Sequence, residues 1–304
     1  MKKKIFIIFC VFLVLITIGL GFAVNYLFNY AVVVSEKDFI KSENKAKFEE
    51  KWVFAKENQT ELTLKNDGLN LKARYVTQPK QTSKTVIIAH GYMSEGDSMG
   101  EFADYFYSLG YDVLVPDNRG HGKSEGDYIG FGWLDRLDYV KWIDQIIEKK
   151  GQNEEILLFG VSMGASTVMM TSGEKLPPQV KGIIADCGYD TVEHELEFQI
   201  KEMFNLPSFP LVPLTSLYTK IKVGYSFKEA SAVDQLKKNK LPLLLIHGDK
   251  DDFVPTDFVY PLYEATQGPK ELVLFEGAGH AMSYSTDKEK YESTIENFLQ
   301  KNNL

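Results

Sequence analysis

Hydropathy divides the chain near residue 35. Lys2, Lys3 and Lys4 precede an uncharged stretch from Ile5 to Ser35 whose first twenty residues are almost wholly apolar, enough to cross a bilayer as a helix. Residues 36–58 are polar, charged and helix-permissive, and read as a stalk or a leading helix. After them the period changes. Glu61 to Leu64 and Leu69 to Val76, joined across Asn66-Asp67-Gly68, predict an antiparallel hairpin. Short apolar runs then alternate with amphipathic ones. Strands are predicted at Val86–Ala89, Val113–Val115, Ile156–Phe159, Val180–Ala185, Leu243–Ile246 and Glu271–Phe275, and helices over Met99–Leu109, Trp133–Lys150 and Asp287–Lys301. Such runs suit a mostly parallel sheet covered on both faces by helices, an α/β architecture within one domain spanning 59–304.

One interval breaks the alternation. Some 55 residues separate the strand ending near Asp186 from the one that follows Pro242, more than a crossover needs. An insertion at about 190–228, with Phe198, Met203, Phe204 and Phe209 among its large apolar side chains, is expected to overhang the sheet edge as a small helical cap. The alternative is a pair of helices packed beside the domain without touching substrate.

Charge and cysteine content narrow the class. Without its three N-terminal lysines the chain has 31 basic and 42 acidic side chains, a net of −11 that repels nucleic acid. Cys10 and Cys187 are the two cysteines, the first within the apolar stretch, so an intramolecular disulfide is not expected. The positive-inside rule places the lysines in the cytoplasm and everything after Tyr30 outside, as a single-pass cell-membrane protein. A secreted form after signal cleavage is the alternative. The apolar run is longer than a usual signal core, and no A-x-A site ends it, which favours an uncleaved anchor over residues 1–35.

The chemistry centres on Gly160-Val161-Ser162-Met163-Gly164, which follows an apolar strand and opens a helix-forming segment. This is the context of a nucleophile elbow, where glycines let the chain turn sharply and expose a serine hydroxyl at the sheet edge. A serine nucleophile needs a base, and the base needs an acid to orient it. His280, in the Gly277-Ala278-Gly279-His280 loop after the last strand, meets both the order and the placement required of the base. His90, His121, His194 and His247 do not. For the acid, Asp249, Asp251 and Asp252 are the candidates, and Asp251 is the choice. The backbone amides of Met163 and Tyr92 are expected to form the oxyanion hole, with the Tyr92 side chain, Phe198, Phe204 and Phe209 lining an apolar pocket. The Asp249–Asp252 cluster lacks the spacing of a calcium loop, so no metal is expected, and nothing calls for a cofactor.

Ala89-His90-Gly91-Tyr92, Asp117-Asn118-Arg119-Gly120-His121-Gly122-Lys123-Ser124, the Ser162 elbow, His247-Gly248-Asp249-Lys250-Asp251 and Gly279-His280 together resemble the ordered motif set of the α/β-hydrolase superfamily. Within it, the chain is similar to bacterial membrane-anchored hydrolases grouped with serine aminopeptidase-like and BEM46-like proteins. The resemblance covers about residues 60–300. It implies the α/β-hydrolase fold and a Ser-His-Asp triad, with the 117–124 loop bracing the oxyanion turn. Substrate is not implied, because the superfamily spans esterases, lipases, thioesterases, acyltransferases and peptidases. The leading expectation is a serine hydrolase of carboxylic esters or thioesters with apolar acyl groups. A serine aminopeptidase is the first alternative, with Glu193, Glu195 and Glu197 as loose candidates to hold an α-amine. A non-catalytic binding or sensing domain on the same scaffold is the second.

Overall fold

The computed structural model describes residues 2–35 and 59–304, so the expected stalk at 36–58 lies outside the described residues. The apolar N-terminal stretch is one helix, α1 (Lys2–Ala31). The hairpin follows as β1 (Gln59–Asn66) and β2 (Leu69–Val76), paired in full register across Asp67 and Gly68, both at positive φ as an Asp-Gly turn requires.

From there strands and helices alternate as β3 (Lys84–Ala89), α2 (Gly100–Ser108), β4 (Asp112–Pro116), α3 (Asp135–Lys150), β5 (Glu155–Val161), α4 (Met163–Ser172) and β6 (Val180–Asp186). The cap segment supplies α5 (Val192–Phe204) and α6 (Leu211–Val223), followed by the short α7 (Ala232–Leu236). The chain closes with β7 (Leu243–Gly248), α8 (Val259–Ala265), β8 (Lys270–Phe275), α9 (Ser283–Thr286) and α10 (Lys288–Lys301). The eight strands run in the order β1-β2-β4-β3-β5-β6-β7-β8, antiparallel at β1/β2 and β2/β4 and parallel elsewhere.

The central strands are buried on both faces, which is why they read as unbroken apolar runs rather than alternating ones. Residues alternate between two cores. Ile87, Leu158 and Leu245 point to the side of α3 and α4, and Val86, Phe159 and Leu244 to the side of α2 and α10. Parallel order brings the carboxyl ends of β3, β5, β6 and β7 to one edge, and the loops after them build the site.

The end of α1 belongs to this body. Val24, Phe28 and Val32, spaced four apart on one face, are buried against the domain. Each such side chain contributes roughly 1.5–3 kcal/mol when fully buried. Beyond the helix the backbone pairs as well, Ile129 N–H donating to the Val32 carbonyl at 2.8 Å and Val34 N–H to that of Asp127 at 3.0 Å.

Candidate active site

β5 runs into a turn at Ser162 with φ 58° and ψ −123°, a strained geometry that thrusts the side chain out at the sheet edge. The turn is held from two sides. Ser162 N–H donates to the Asp186 carbonyl at 2.9 Å, and α4 starts so close to β3 that a Cβ on Gly164 would lie 2.0 Å from the Ala89 carbonyl oxygen. Met163 is the first residue of α4, so its N–H belongs to the helical turn that has no acceptor within the helix.

Three side chains from three loops meet in series. The Ser162 hydroxyl donates to His280 Nε2 at 2.8 Å, and His280 Nδ1–H donates to Asp251 Oδ2 at 2.8 Å. Asp251 is fixed through its other oxygen, which accepts from the N–H groups of Phe253 at 3.0 Å and Val254 at 2.9 Å. Burial alone would raise this carboxyl, but the imidazoles of His247 and His280 hold it well below the usual carboxylate range. Asp249 instead accepts from Gly277 N–H at 2.7 Å, bracing the loop that carries His280, and Asp252 is exposed. Phe253 stacks obliquely on the His280 ring, with centroids 5.0 Å apart.

His247, which chain order excludes as the base, is a partner of Asp251. It is buried at the end of β7 with Nε2 3.0 Å from the Val254 carbonyl and 3.3 Å from Asp251 Oδ2. Its place four residues before Asp251, at a strand end, is the signal that could have found it.

The turn after β3 presses on the serine, with a Cβ on Gly91 3.5 Å from the Ser162 Cβ. Two buried histidines hold that turn in place. His90 Nδ1–H donates to the Gly91 carbonyl at 2.8 Å while Nε2 accepts from Asn118 N–H at 2.9 Å. His121 Nε2 accepts from Met93 N–H at 3.2 Å, and its Nδ1–H donates to the Arg119 carbonyl at 3.0 Å. Burial pushes His90 down to about 3 and His121 to about 4, so both are neutral and keep the acceptor nitrogen each backbone amide needs. Arg119 carries a buried two-point pair to Asp138, at 2.8 and 2.6 Å, which anchors the 117–124 loop to α3.

A cleft opens over Ser162. Tyr92, Phe131, Phe204 and Phe253 line it, and Leu27, Tyr30 and Ala31 of α1 form part of its wall. Two expected lining residues are elsewhere. On α5 the cleft takes Glu195, Leu196, Gln199, Ile200, Met203 and Phe204, and the helical period turns Phe198 to the opposite side. Phe209, in the connection to α6, is 76% exposed.

Of the three candidate cap glutamates, Glu195 lines the cleft, and Glu193 and Glu197 do not. Gln199 donates to Glu195 Oε1 at 2.9 Å and to the Phe253 carbonyl at 2.7 Å, while the buried Oε2 has no hydrogen-bond partner among the described residues. Burial, reinforced by Asp251 and Asp190, raises this carboxyl from 4.5 to about 8. A raised acid pKa means the folded state keeps a proton that the unfolded chain has lost, so this group's contribution to stability falls as pH rises from about 4.5 to about 8. Glu195→Gln should therefore gain stability over the unsubstituted protein between pH 5 and 9, by on the order of a few kcal/mol at the upper end. Thermal midpoints measured across that range check it, and parallel curves would show that the residue does not titrate as stated.

Cys187, Asp251 and His280 bring possible ligand atoms within 4.8 Å of one another. Burial pushes the Cys187 thiol well above its usual range, which opposes the thiolate an ion would need.

Residues 80–189 match the family described as serine aminopeptidase, S33. The chain is 30% identical over 292 residues to the uncharacterized protein YqkD of Bacillus subtilis, covering 96% of this chain and 95% of that one. It is 27% identical to human monoglyceride lipase over 71% of this chain and 81% of the lipase. Among solved structures, an esterase of Pyrococcus furiosus superposes with a TM-score of 0.63 at 25% identity, over 80% of this chain and 92% of the esterase. With the strand order, the serine turn between β5 and α4, and a relative matched along almost its whole length, the chain belongs to the α/β-hydrolase superfamily.

Proposed function

We propose that the protein is a serine hydrolase that cleaves carboxylic esters or thioesters with apolar acyl groups through an acyl-enzyme. The reading rests on two hydrogen bonds in series, from Ser162 to His280 and from His280 to Asp251, each 2.8 Å. Ser162 Oγ attacks the substrate carbonyl carbon as His280 Nε2 takes its proton, and Asp251 stabilises the imidazolium. The oxyanion that forms accepts from the backbone N–H groups of Tyr92 and Met163. Collapse expels the alcohol or thiol, which takes the proton from His280. A water then attacks the acyl-enzyme with His280 as base and releases the acid and Ser162. α1 tethers this domain to the membrane, on the side opposite Lys2, Lys3 and Lys4.

The cleft supports an uncharged, apolar substrate. No lysine or arginine is among its lining residues, and aromatic and aliphatic side chains dominate. The esterase and monoglyceride lipase relatives fit this. A serine aminopeptidase is the second reading, favoured by the family match and by a glutamate in the cleft. Burial keeps Glu195 neutral at pH 7, a poor standing partner for an ammonium group.

Matched acyl esters, acyl thioesters and aminoacyl amides, offered to the full chain with Ser162→Ala as control, decide between the two. Esters or thioesters should be cleaved fastest, and activity should climb by up to about 0.8 kcal/mol per methylene until the cleft is full, then fall. Faster cleavage of aminoacyl amides than of any ester would replace this reading with the peptidase one.

A further inference from the structure

α1 divides into two stretches with different surroundings. Its apolar length is exposed on all sides, while its last two turns dock on the cap and the domain. Phe28 packs against Tyr218 of α6 at 5.0 Å and Tyr128 at 5.8 Å, and Tyr30 packs against Phe204 at 5.2 Å. At about 1.5 Å per residue, the segment from Ile5 to Val24 is roughly 30 Å long, the thickness of a bilayer's hydrocarbon core, and at its end Leu20, Ala23 and Val24 are already packed on the protein. Tyr26 and Tyr30 then fall at the level where aromatic residues mark the membrane surface.

The cleft begins at that same level. Leu27, Tyr30 and Ala31 share it with Ser162, and the Tyr92 hydroxyl donates to the Ala31 carbonyl at 2.9 Å. Met203 lines the cleft and is also 38% exposed, which puts it at the rim. The cap also exposes large apolar side chains at Leu206, Phe209, Leu217 and Ile221, the last 73% exposed. Leu217 and Ile221 are on α6, the helix that packs along α1. Exposed apolar side chains on a helix packed against one long and apolar enough to cross a bilayer are within reach of the leaflet that would surround it.

We propose that the site is loaded from the membrane: the last turns of α1 are a wall of the substrate cleft, and the exposed apolar side chains of the cap sit in the adjoining leaflet, so that a single-chain acyl ester passes from the bilayer to Ser162 beside Met203. The proposal rests on the serine-hydrolase reading above. It makes the membrane helix a determinant of substrate choice as well as a tether.

The test uses the full chain in phosphatidylcholine vesicles, with a water-soluble butyrate ester and a long-chain monoacylglycerol dissolved in the same vesicles. Leu217→Glu with Ile221→Glu, and separately Phe209→Glu, should slow hydrolysis of the vesicle-borne ester by at least about tenfold, a change of about 1.4 kcal/mol, and leave the soluble ester within about twofold. Ala31→Phe should move the acyl-length optimum to shorter chains and Leu27→Ala to longer ones, while Phe22→Ala, on the exposed length of α1, should move it in neither direction. Equal losses on both substrates, no loss on the vesicle-borne ester, or an optimum that no α1 substitution moves would overturn the proposal. Fluorophosphonate labelling of the unsubstituted chain separates the two failures. If Ser162 labels and any of those results is found, the membrane route alone falls; if Ser162 does not label, the serine-hydrolase reading falls and takes the route with it.

Discussion

Ser162→Ala is expected to abolish covalent labelling by a fluorophosphonate probe, and His280→Ala to slow it by on the order of a thousandfold or more. The probe captures an activated hydroxyl. Ser162 is the hydroxyl that sits on the strained turn with its proton already directed to an imidazole 2.8 Å away. Removing the oxygen leaves nothing to label, whereas removing the imidazole leaves a hydroxyl with no acceptor for its proton. Gel fluorescence against time, on samples matched for protein, gives both rates. Undiminished labelling of the Ser162→Ala protein would refute the nucleophile.

Asp251→Asn should lower kcat by about ten-thousandfold and leave KM close to its original value. The size of the effect follows from the local hydrogen bonds. Asp251 Oδ1 accepts from two backbone N–H groups, so an asparagine keeps its carbonyl oxygen there and turns its NH2 toward His280 Nδ1. His280 must then accept at Nδ1 and carry its proton on Nε2, facing Ser162, where it can no longer act as the base. The cleft loses no contact, since Asp251 does not line it. Steady-state kinetics on the best ester, beside Asp249→Asn and Asp252→Asn, measure the effect. An active Asp251→Asn protein together with an inactive neighbour would transfer the role of the acid.

What the sequence reveals of this site is what depends on adjacent residues. The Ser162 elbow needs glycines at fixed offsets, because Gly164 passes within 2.0 Å of a backbone oxygen at the position of a side chain. That constraint is written in five consecutive letters. The strands were legible for a similar reason, since a strand buried on both faces has no polar positions to interrupt it.

The cleft depends on distance in space and on helical phase. Phe198 and Phe209 were expected there for their size, yet α5 turns Phe198 away and Phe209 faces out. Leu196, Gln199 and Ile200 hold the wall instead, at positions a helical projection anchored on Phe204 would have selected. Nothing local could have brought in Leu27 or Tyr30, whereas Phe253 comes with the Asp251 loop, two residues after the chosen acid. Both reach the cleft from a segment more than sixty residues before Tyr92, through packing that leaves no periodic trace.

The hydrogen bond from Tyr92 to the Ala31 carbonyl, with the backbone pairing of Val32 to Ile129 beside it, changes what release from the membrane would mean. A chain cut after Ala31 loses more than the length of α1. It gives up the acceptor of the Tyr92 hydroxyl, opens one side of the cleft to water, and leaves Tyr128 and Tyr218 without the Phe28 ring that covers them. With the membrane tether and the hydrolase activity proposed above, shedding would therefore yield a catalyst with a different set of substrates, and location and selectivity would be inherited together.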